Sequence, residues 1–198
     1  MSNIIRVSSA ELPTEFGRYI IYLFKEPKTN IEHVALVMGD VIAADDVLTR
    51  VHSECLTGDI FSSRRCDCGE QLKLSQQLIA KEGVGVIVYL RNHEGRGIGL
   101  ENKIRAYAMQ DQGLDTIEAN IALGLPVDNR TFDIGAEILK NLGVKSIRLL
   151  SNNPSKFKAL MAEGAVINSL VPLIIPTNND NYKYIQTKKT KLGHLYSL

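Results

Sequence analysis

The three cysteines of this 198-residue chain fall in one stretch, Arg50-Val51-His52-Ser53-Glu54-Cys55-Leu56-Thr57-Gly58-Asp59, continued by Arg65-Cys66-Asp67-Cys68-Gly69. Thiolates are soft ligands. Three of them with an open fourth position describe a catalytic zinc site, because structural zinc sites are closed by four protein ligands. Thr57-Gly58-Asp59 reads as a turn that lets Cys55 meet Cys66 and Cys68. A helix is expected from Gly69, and thiols near a helix N-terminus ionise more readily, which suits a metal. His52 is a candidate fourth ligand and Glu54 a candidate proton shuttle. His52-Ser53-Glu54 imitates the H-x-E of zinc deaminases, but the P-C-x-x-C that completes their signature is missing. Two plainer readings compete: three buried small hydrophobes, or a disulfide with one thiol left over. The odd count and the lack of a secretory pattern argue against the disulfide.

A second place for chemistry is the glycine-rich turn His93-Glu94-Gly95-Arg96-Gly97-Ile98-Gly99. Between a strand and a helix, such a turn offers unpaired N–H groups to an anion, and Arg96 can grip a phosphate bidentately. The pattern is neither G-x-G-x-x-G nor a Walker loop, and a tight turn with a solvated arginine fits it as well. Ser151-Asn152-Asn153-Pro154-Ser155-Lys156 also joins a strand to a helix, and a well-capped helix is the simpler account. Asp128 and Arg130 stand in a loop after Pro126, where solvated charge is the ordinary outcome. Tyr107 falls near the apolar stripe of a helix, where a core tyrosine is the ordinary outcome.

These residues need elements to hold them. Arg18–Lys25, His33–Gly39 and Val47–His52 read as strands, and their short connections predict an antiparallel meander that leads into the cysteine stretch. Gly69–Glu82 reads as a helix with Leu72, Leu78 and Ile79 on one face. Gly85–Leu90 is a near-continuous apolar strand, as expected of one covered on both faces. A helix from Leu100 to Gln112 follows, with Leu100, Ile104 and Ala108 as its apolar stripe. Further expectations are a helix over Asp133–Leu142, a strand over Ser146–Leu150, a helix from Pro154 and a last apolar strand over Val166–Ile175. Strands alternating with helices predict an α/β fold: a mixed sheet with an antiparallel N-terminal meander and helices packed on it. Residues 1–198 read as one domain. The polar, lysine-bearing stretch Asn181–Leu198 fits either a docked helix or a flexible tail beginning near residue 177.

Composition narrows the partners. Lys+Arg 23 against Asp+Glu 22 gives a net charge of +1, which supplies no global field for nucleic acid or an anionic membrane. Apolar runs such as Tyr19–Phe24 are far too short to span a bilayer. Met1-Ser2-Asn3-Ile4-Ile5-Arg6 carries no signal-peptide pattern, so a cytoplasmic location is expected.

Taken together, the motifs resemble GTP cyclohydrolase II, the enzyme that opens the guanine ring of GTP at the entry to riboflavin synthesis. The likeness runs from about Leu12 to Leu195. Besides the cysteine stretch and the glycine-rich turn it includes Lys103-Ile104-Arg105-Ala106-Tyr107, Asp115-Thr116-Ile117-Glu118-Ala119-Asn120 and Asn152-Asn153-Pro154. It implies one zinc ion on Cys55, Cys66 and Cys68, and magnesium carried with the triphosphate. It implies GTP contacts from Arg50, Val51, His52, Ser53, Glu54, Gln71, Glu94, Gly95, Arg96, Thr116, Ser151 and Lys156. It casts Arg130 as nucleophile toward the α-phosphate, Asp128 as its acid/base partner and Tyr107 as a helper in ring opening. Arginine is an odd nucleophile because its guanidinium stays protonated, so a purely electrostatic role for Arg130 stands beside that one. The products implied are 2,5-diamino-6-(5-phosphoribosylamino)pyrimidin-4-one, formate and pyrophosphate. A homodimer is implied as well. Ser151 stands where the family often has Thr, and Asn92-His93 where many members have a single Gln. The synthase domain fused to this enzyme in some relatives has no counterpart in the sequence. Two other readings remain: a sister enzyme that opens another ring or stops at the formamide, and a silent nucleotide-binding regulator.

Overall fold

The computed structural model describes residues 3–195. Its strands form one seven-stranded sheet in the order β1-β2-β3-β5-β4-β6-β7. On one side β1 (Ile5–Thr14), β2 (Gly17–Lys25) and β3 (Glu32–Met38) run antiparallel. On the other side β5 (Gly85–Leu90), β4 (Val47–Ser53), β6 (Ile147–Leu150) and β7 (Ile167–Val171) are parallel. The antiparallel β3–β5 pair joins the two halves.

Contrary to the expectation from its sequence, Val47–His52 does not extend the antiparallel meander. β5 inserts between β3 and β4, and β4 pairs only with parallel neighbours. Its polar residues Thr49, Arg50 and His52 mimic the alternation of a half-exposed strand, yet all three are buried, because they serve the site and its hydrogen bonds. β1 carries no clear pattern in sequence because most of its side chains are exposed, and Pro13 suits its place at the sheet edge.

Helices cover both faces. α2 (Cys68–Glu82) packs Ile79 against Leu48, Ile87 and Leu150. On the opposite face α6 (Asp133–Asn141) and α7 (Pro154–Ala162) pack Ile138 and Leu160 against Val51, Val88 and Leu149. Pro154 takes the first turn of α7, and the Asn153 side chain accepts from the Ser155 and Lys156 N–H groups. Leaving β4, the chain crosses to β5 on one side, and its later return places β6 on the other. That divergence opens a crevice at the carboxyl ends of the parallel strands, the usual ligand position in such sheets.

Between β5 and β6 the chain runs through the one-turn α3 (Glu94–Gly97), α4 (Gly99–Asp111) and α5 (Thr116–Ala122). The expected stripe of α4 is reversed: Leu100 and Ile104 are 42% and 49% exposed, and its buried residues are Lys103 and Ala106. A polar face turns inward because it lines a cavity. α5 opens on a complete capping box, in which Asp115 accepts from Ile117 and Glu118 N–H while Glu118 accepts from the Asp115 N–H. α8 (Tyr182–Leu192) realises the docked-helix expectation for the C-terminal stretch; residues 196–198 lie outside those described. No described helix is long and apolar enough to cross a membrane.

Candidate active site

At the carboxyl ends of β4, β5 and β6 lies a cavity of ≈ 430 Å³. Its metal end is built from two short segments. Cys55 precedes the one-turn α1 (Leu56–Asp59), and Cys68 opens α2. The Cys55 and Cys66 Sγ atoms are 3.7 Å apart, and the three Sγ atoms all lie within 4.8 Å of one another. All three thiols are free, so the disulfide reading fails. Glycine makes the cluster possible: a Cβ on Gly58 would come 2.9 Å from Cys66 Sγ, and one on Gly69 would come 2.2 Å from the Gly58 carbonyl. Hydrogen bonds from Cys66 and Cys68, with the ammonium of Lys103, pull the Cys55 thiol far below its usual range. As donors to Cys55, Cys66 and Cys68 are pushed up, Cys66 to about 11. Among the described residues this is the cluster able to hold a metal ion.

His52 is not placed as a fourth ligand. Its Nε2–H donates to both oxygens of Asp59 at 3.0 Å, and burial holds the ring neutral. Asp59 also accepts from the Cys55 N–H at 2.9 Å and the Tyr89 hydroxyl at 2.7 Å. The histidine therefore sets the shape of the cysteine loop. Glu94 does the same from the other side, accepting from the Leu56 N–H at 2.7 Å and from Lys103 Nζ at 2.6 Å. Lys103 also reaches Cys55 Sγ at 3.2 Å and Thr57 Oγ1 at 2.9 Å. Burial works against its charge, but the Cys55 thiolate and Glu94 outweigh burial and raise its pKa. Spacing gave no hint of Lys103; the available signal was a lysine on the face of α4 that also carries Tyr107. The Tyr107 hydroxyl lies 3.4 Å from Thr57 Oγ1, and its ring faces the Arg65 guanidinium at 4.9 Å. It lines the cavity and is not a core residue.

The other end is cationic. In the glycine-rich turn Gly95 and Arg96 both adopt left-handed conformations, with φ of 58° and 65°. A non-glycine residue held there costs of order 1–3 kcal/mol and marks functional turns. Both terminal nitrogens of Arg96 are buried without a hydrogen-bond partner. Arg130 pairs with Asp128 through Nε–Oδ1 at 2.9 Å and Nη2–Oδ2 at 2.5 Å, and its Nη1 donates to Ser53 Oγ at 3.3 Å. Burial raises the Asp128 pKa, but the Arg130 hydrogen bonds and charge outweigh it and hold the carboxyl below its usual range. Lys156 is buried, donates to the Val51 carbonyl at 2.6 Å, and has its pKa driven far down by burial and by Arg50 and Arg130.

The expected site residues converge on this cavity. Arg50, His52, Ser53, Glu54, Gln71, Glu94, Gly95, Arg96, Thr116, Ser151 and Lys156 line it, as do Asp128, Arg130, Tyr107 and the three cysteines. Val51 does not; its side chain is in the core and its carbonyl holds Lys156. Glu54 sits beside Cys55, with its pKa raised by burial and by Glu94.

Comparison with known proteins places this geometry. The GTP cyclohydrolase II family model matches residues 5–172. The chain belongs to the GTP cyclohydrolase II family. The resemblance read from its motifs is thereby confirmed. It is 54% identical over 194 residues to "GTP cyclohydrolase-2" of Actinobacillus succinogenes, covering 98% of this chain and 89% of that protein. It is 50% identical over 191 residues to "Monofunctional riboflavin biosynthesis protein RIBA 3, chloroplastic" of Arabidopsis thaliana, covering 96% of this chain and 38% of that one. "Riboflavin biosynthesis protein RibBA" of Mycobacteroides abscessus is 50% identical over 196 residues, covering 97% and 47%. The chain thus spans less than half the length of two of these three relatives. A crystal structure of RibBX, a two-domain 3,4-dihydroxy-2-butanone 4-phosphate synthase from A. baumannii, shares the fold at a TM-score of 0.53 and 23% identity, over 86% of this chain and 41% of that one.

Proposed function

We propose that this protein hydrolyses GTP to 2,5-diamino-6-(5-phosphoribosylamino)pyrimidin-4-one, formate and pyrophosphate, the first committed step of riboflavin synthesis. The observation that carries the reading is one cavity joining a three-thiol cluster to a set of arginines and a lysine, in a member of this family. Guanine belongs at the thiol end and the triphosphate at the cationic end. The 198 residues are read as one domain acting in the cytoplasm.

The metal is read as zinc. A tetrahedral zinc with sulfur at about 2.3 Å needs sulfurs about 3.8 Å apart, and Cys55 and Cys66 stand at 3.7 Å. When bound, zinc supplies Lewis-acid chemistry at C8 of guanine. The protein supplies the rest. Glu54, with its raised pKa, is suited to move a proton at C8. Glu94, Lys103 and His52 keep the cysteine loop in shape. Burial keeps the Tyr107 hydroxyl protonated, so it can donate to charge that develops as the ring opens. Tyr107→Phe is expected to lower formate release by roughly 10²–10³-fold with GTP affinity unchanged; an unaltered rate in single-turnover assays would remove this role.

At the cationic end Arg96 offers two buried, unpartnered donors to the triphosphate. Arg130 is fixed by Asp128 in a two-pronged contact as a clamp on the α-phosphate, which favours electrostatic stabilisation over covalent attack. Magnesium is expected to travel with the phosphates, held mostly by their oxygens and water.

Lys156 gives the site a pH signature. Its pKa lies far below the ordinary lysine value in the free protein, and a phosphate neighbour raises it. Between those two values GTP binding takes up a proton, so affinity falls as pH rises. Calorimetry above about pH 7.5, where phosphate itself is already ionised, should show proton uptake that disappears in Lys156→Met. Binding with no proton exchange would contradict this.

A homodimer is also proposed. Ile60 and Phe61 are 65% and 70% exposed, and with Leu100 and Ile104 they are side chains a second copy would cover. Light scattering that finds only a 21.9 kDa species at working concentration would exclude it.

A further inference from the structure

Part of the cavity wall comes from a segment beyond the family match. Tyr184, Lys188 and Leu192 of α8, and His194 after it, line the cavity, whereas the match ends at residue 172. Lys188 is buried, and its Nζ donates to Asp67 Oδ1 at 2.7 Å in an ion pair whose two side chains are 9% and 1% exposed. Asp67 stands between Cys66 and Cys68 at the N-cap of α2. Its other oxygen accepts from Gln71 Nε2 at 2.6 Å, Gln71 Oε1 accepts from Arg50 Nη2 at 2.7 Å, and Arg50 Nη1 donates to the Leu150 carbonyl at 2.9 Å. A continuous line of hydrogen bonds therefore runs from α8 to Arg50.

Tyr184 lies beside this line. Its ring faces Lys188 Nζ at 4.5 Å and the Arg96 guanidinium carbon at 5.9 Å. Arg96 has no hydrogen bond from its terminal nitrogens, so the ring is a contact that limits where its guanidinium points. The helix is fastened at both sides. Lys191 pairs with Asp115 in the capping box beside Thr116. Past Gly193, left-handed with φ of 66°, the Leu195 N–H donates to the Asn152 carbonyl at 2.8 Å.

We propose that Lys188 and Tyr184 are substrate-positioning residues: Lys188 fixes Arg50 through Asp67 and Gln71, and Tyr184 holds the Arg96 guanidinium toward an anionic group of the nucleotide. The inference rests on the GTP reading above and concerns nucleotide affinity. Removing the Lys188 ammonium leaves the Asp67 carboxylate buried beside Gln71 without its counter-charge, and Asp67 then competes for the groups that hold Arg50. Replacing the Tyr184 ring frees Arg96 to rotate away.

The test measures affinity for a non-hydrolysable GTP analogue by calorimetry, together with KM, kcat, zinc content and melting temperature. Tyr184→Leu and Lys188→Met are each expected to weaken analogue binding by about tenfold or more, with a matching rise in KM and zinc content unchanged. Lys188→Arg is expected to recover much of the loss. Lys189→Met, on the exposed side of α8, should behave as wild type. The double variant Lys188→Met, Asp67→Asn removes both buried charges, so it keeps the fold while still binding weakly. Wild-type analogue affinity in Tyr184→Leu and in that double variant would overturn the proposal. So would an affinity loss that only follows zinc loss or a falling melting temperature, which would make α8 a brace. A wild-type protein that binds the analogue but releases no formate from GTP would instead refute the hydrolase reading and leave the positioning roles standing.

Discussion

Cys66→Ser is expected to stop formate release from GTP while the protein stays folded and still splits off pyrophosphate. Serine is a hard and seldom ionised ligand, so two remaining thiols should not retain zinc. Lewis-acid assistance is worth several kcal/mol, so formate release should fall by about 10³-fold or more. The phosphate end does not lean on the cysteines for its geometry. Arg130 is held by Asp128 and Ser53, and Arg96 stands in the turn after β5. The variant should therefore convert GTP to GMP and pyrophosphate. Zinc content, formate and pyrophosphate need to be measured on the same preparation. A folded, zinc-free variant that makes neither GMP nor pyrophosphate would show that the metal organises the whole cavity.

Arg130→Ala should have the converse effect, lowering pyrophosphate release by about 10³–10⁵-fold, as loss of a phosphate-clamping arginine does elsewhere. The Asp128 carboxyl, now held low mainly by Arg130 despite burial, would also rise in pKa and lose its fixed orientation. Arg130→Lys should rescue little, because a point charge cannot replace the two-pronged contact with Asp128. Formate measured on the same variant orders the reaction. Its disappearance means that cleavage at the α-phosphate comes first; its persistence means that the ring opens independently. Full pyrophosphate release by Arg130→Ala would contradict the clamp.

Much of this was legible in the sequence, and the gaps have physical causes. The cysteine stretch, the glycine-rich turn and the Asn153–Pro154 cap announce themselves because metal binding, a left-handed turn and a helix start each demand particular residue types. β4 reads as a strand of the meander because its buried polar residues, there for the site, imitate an exposed face. The stripe on α4 pointed the wrong way for the same reason: an active-site helix turns Lys103 and Tyr107 inward and leaves Leu100 and Ile104 outside. α5 could have been found from Asp115-x-x-Glu118, a readable capping box. The contribution of α8 was beyond reach, because Lys188 meets Asp67 across 121 residues of sequence and no local pattern encodes that pairing.

The central claim is that one cavity opens the guanine ring and cleaves the triphosphate. It is tested most directly by incubating the zinc-loaded protein with GTP and Mg²⁺ and following formate and pyrophosphate together, with mass spectrometry of the pyrimidine product. Equal yields of both small products are expected, together with the diaminopyrimidine ribosylamino phosphate. Intact GTP, or a product that retains the formyl carbon, would contradict it.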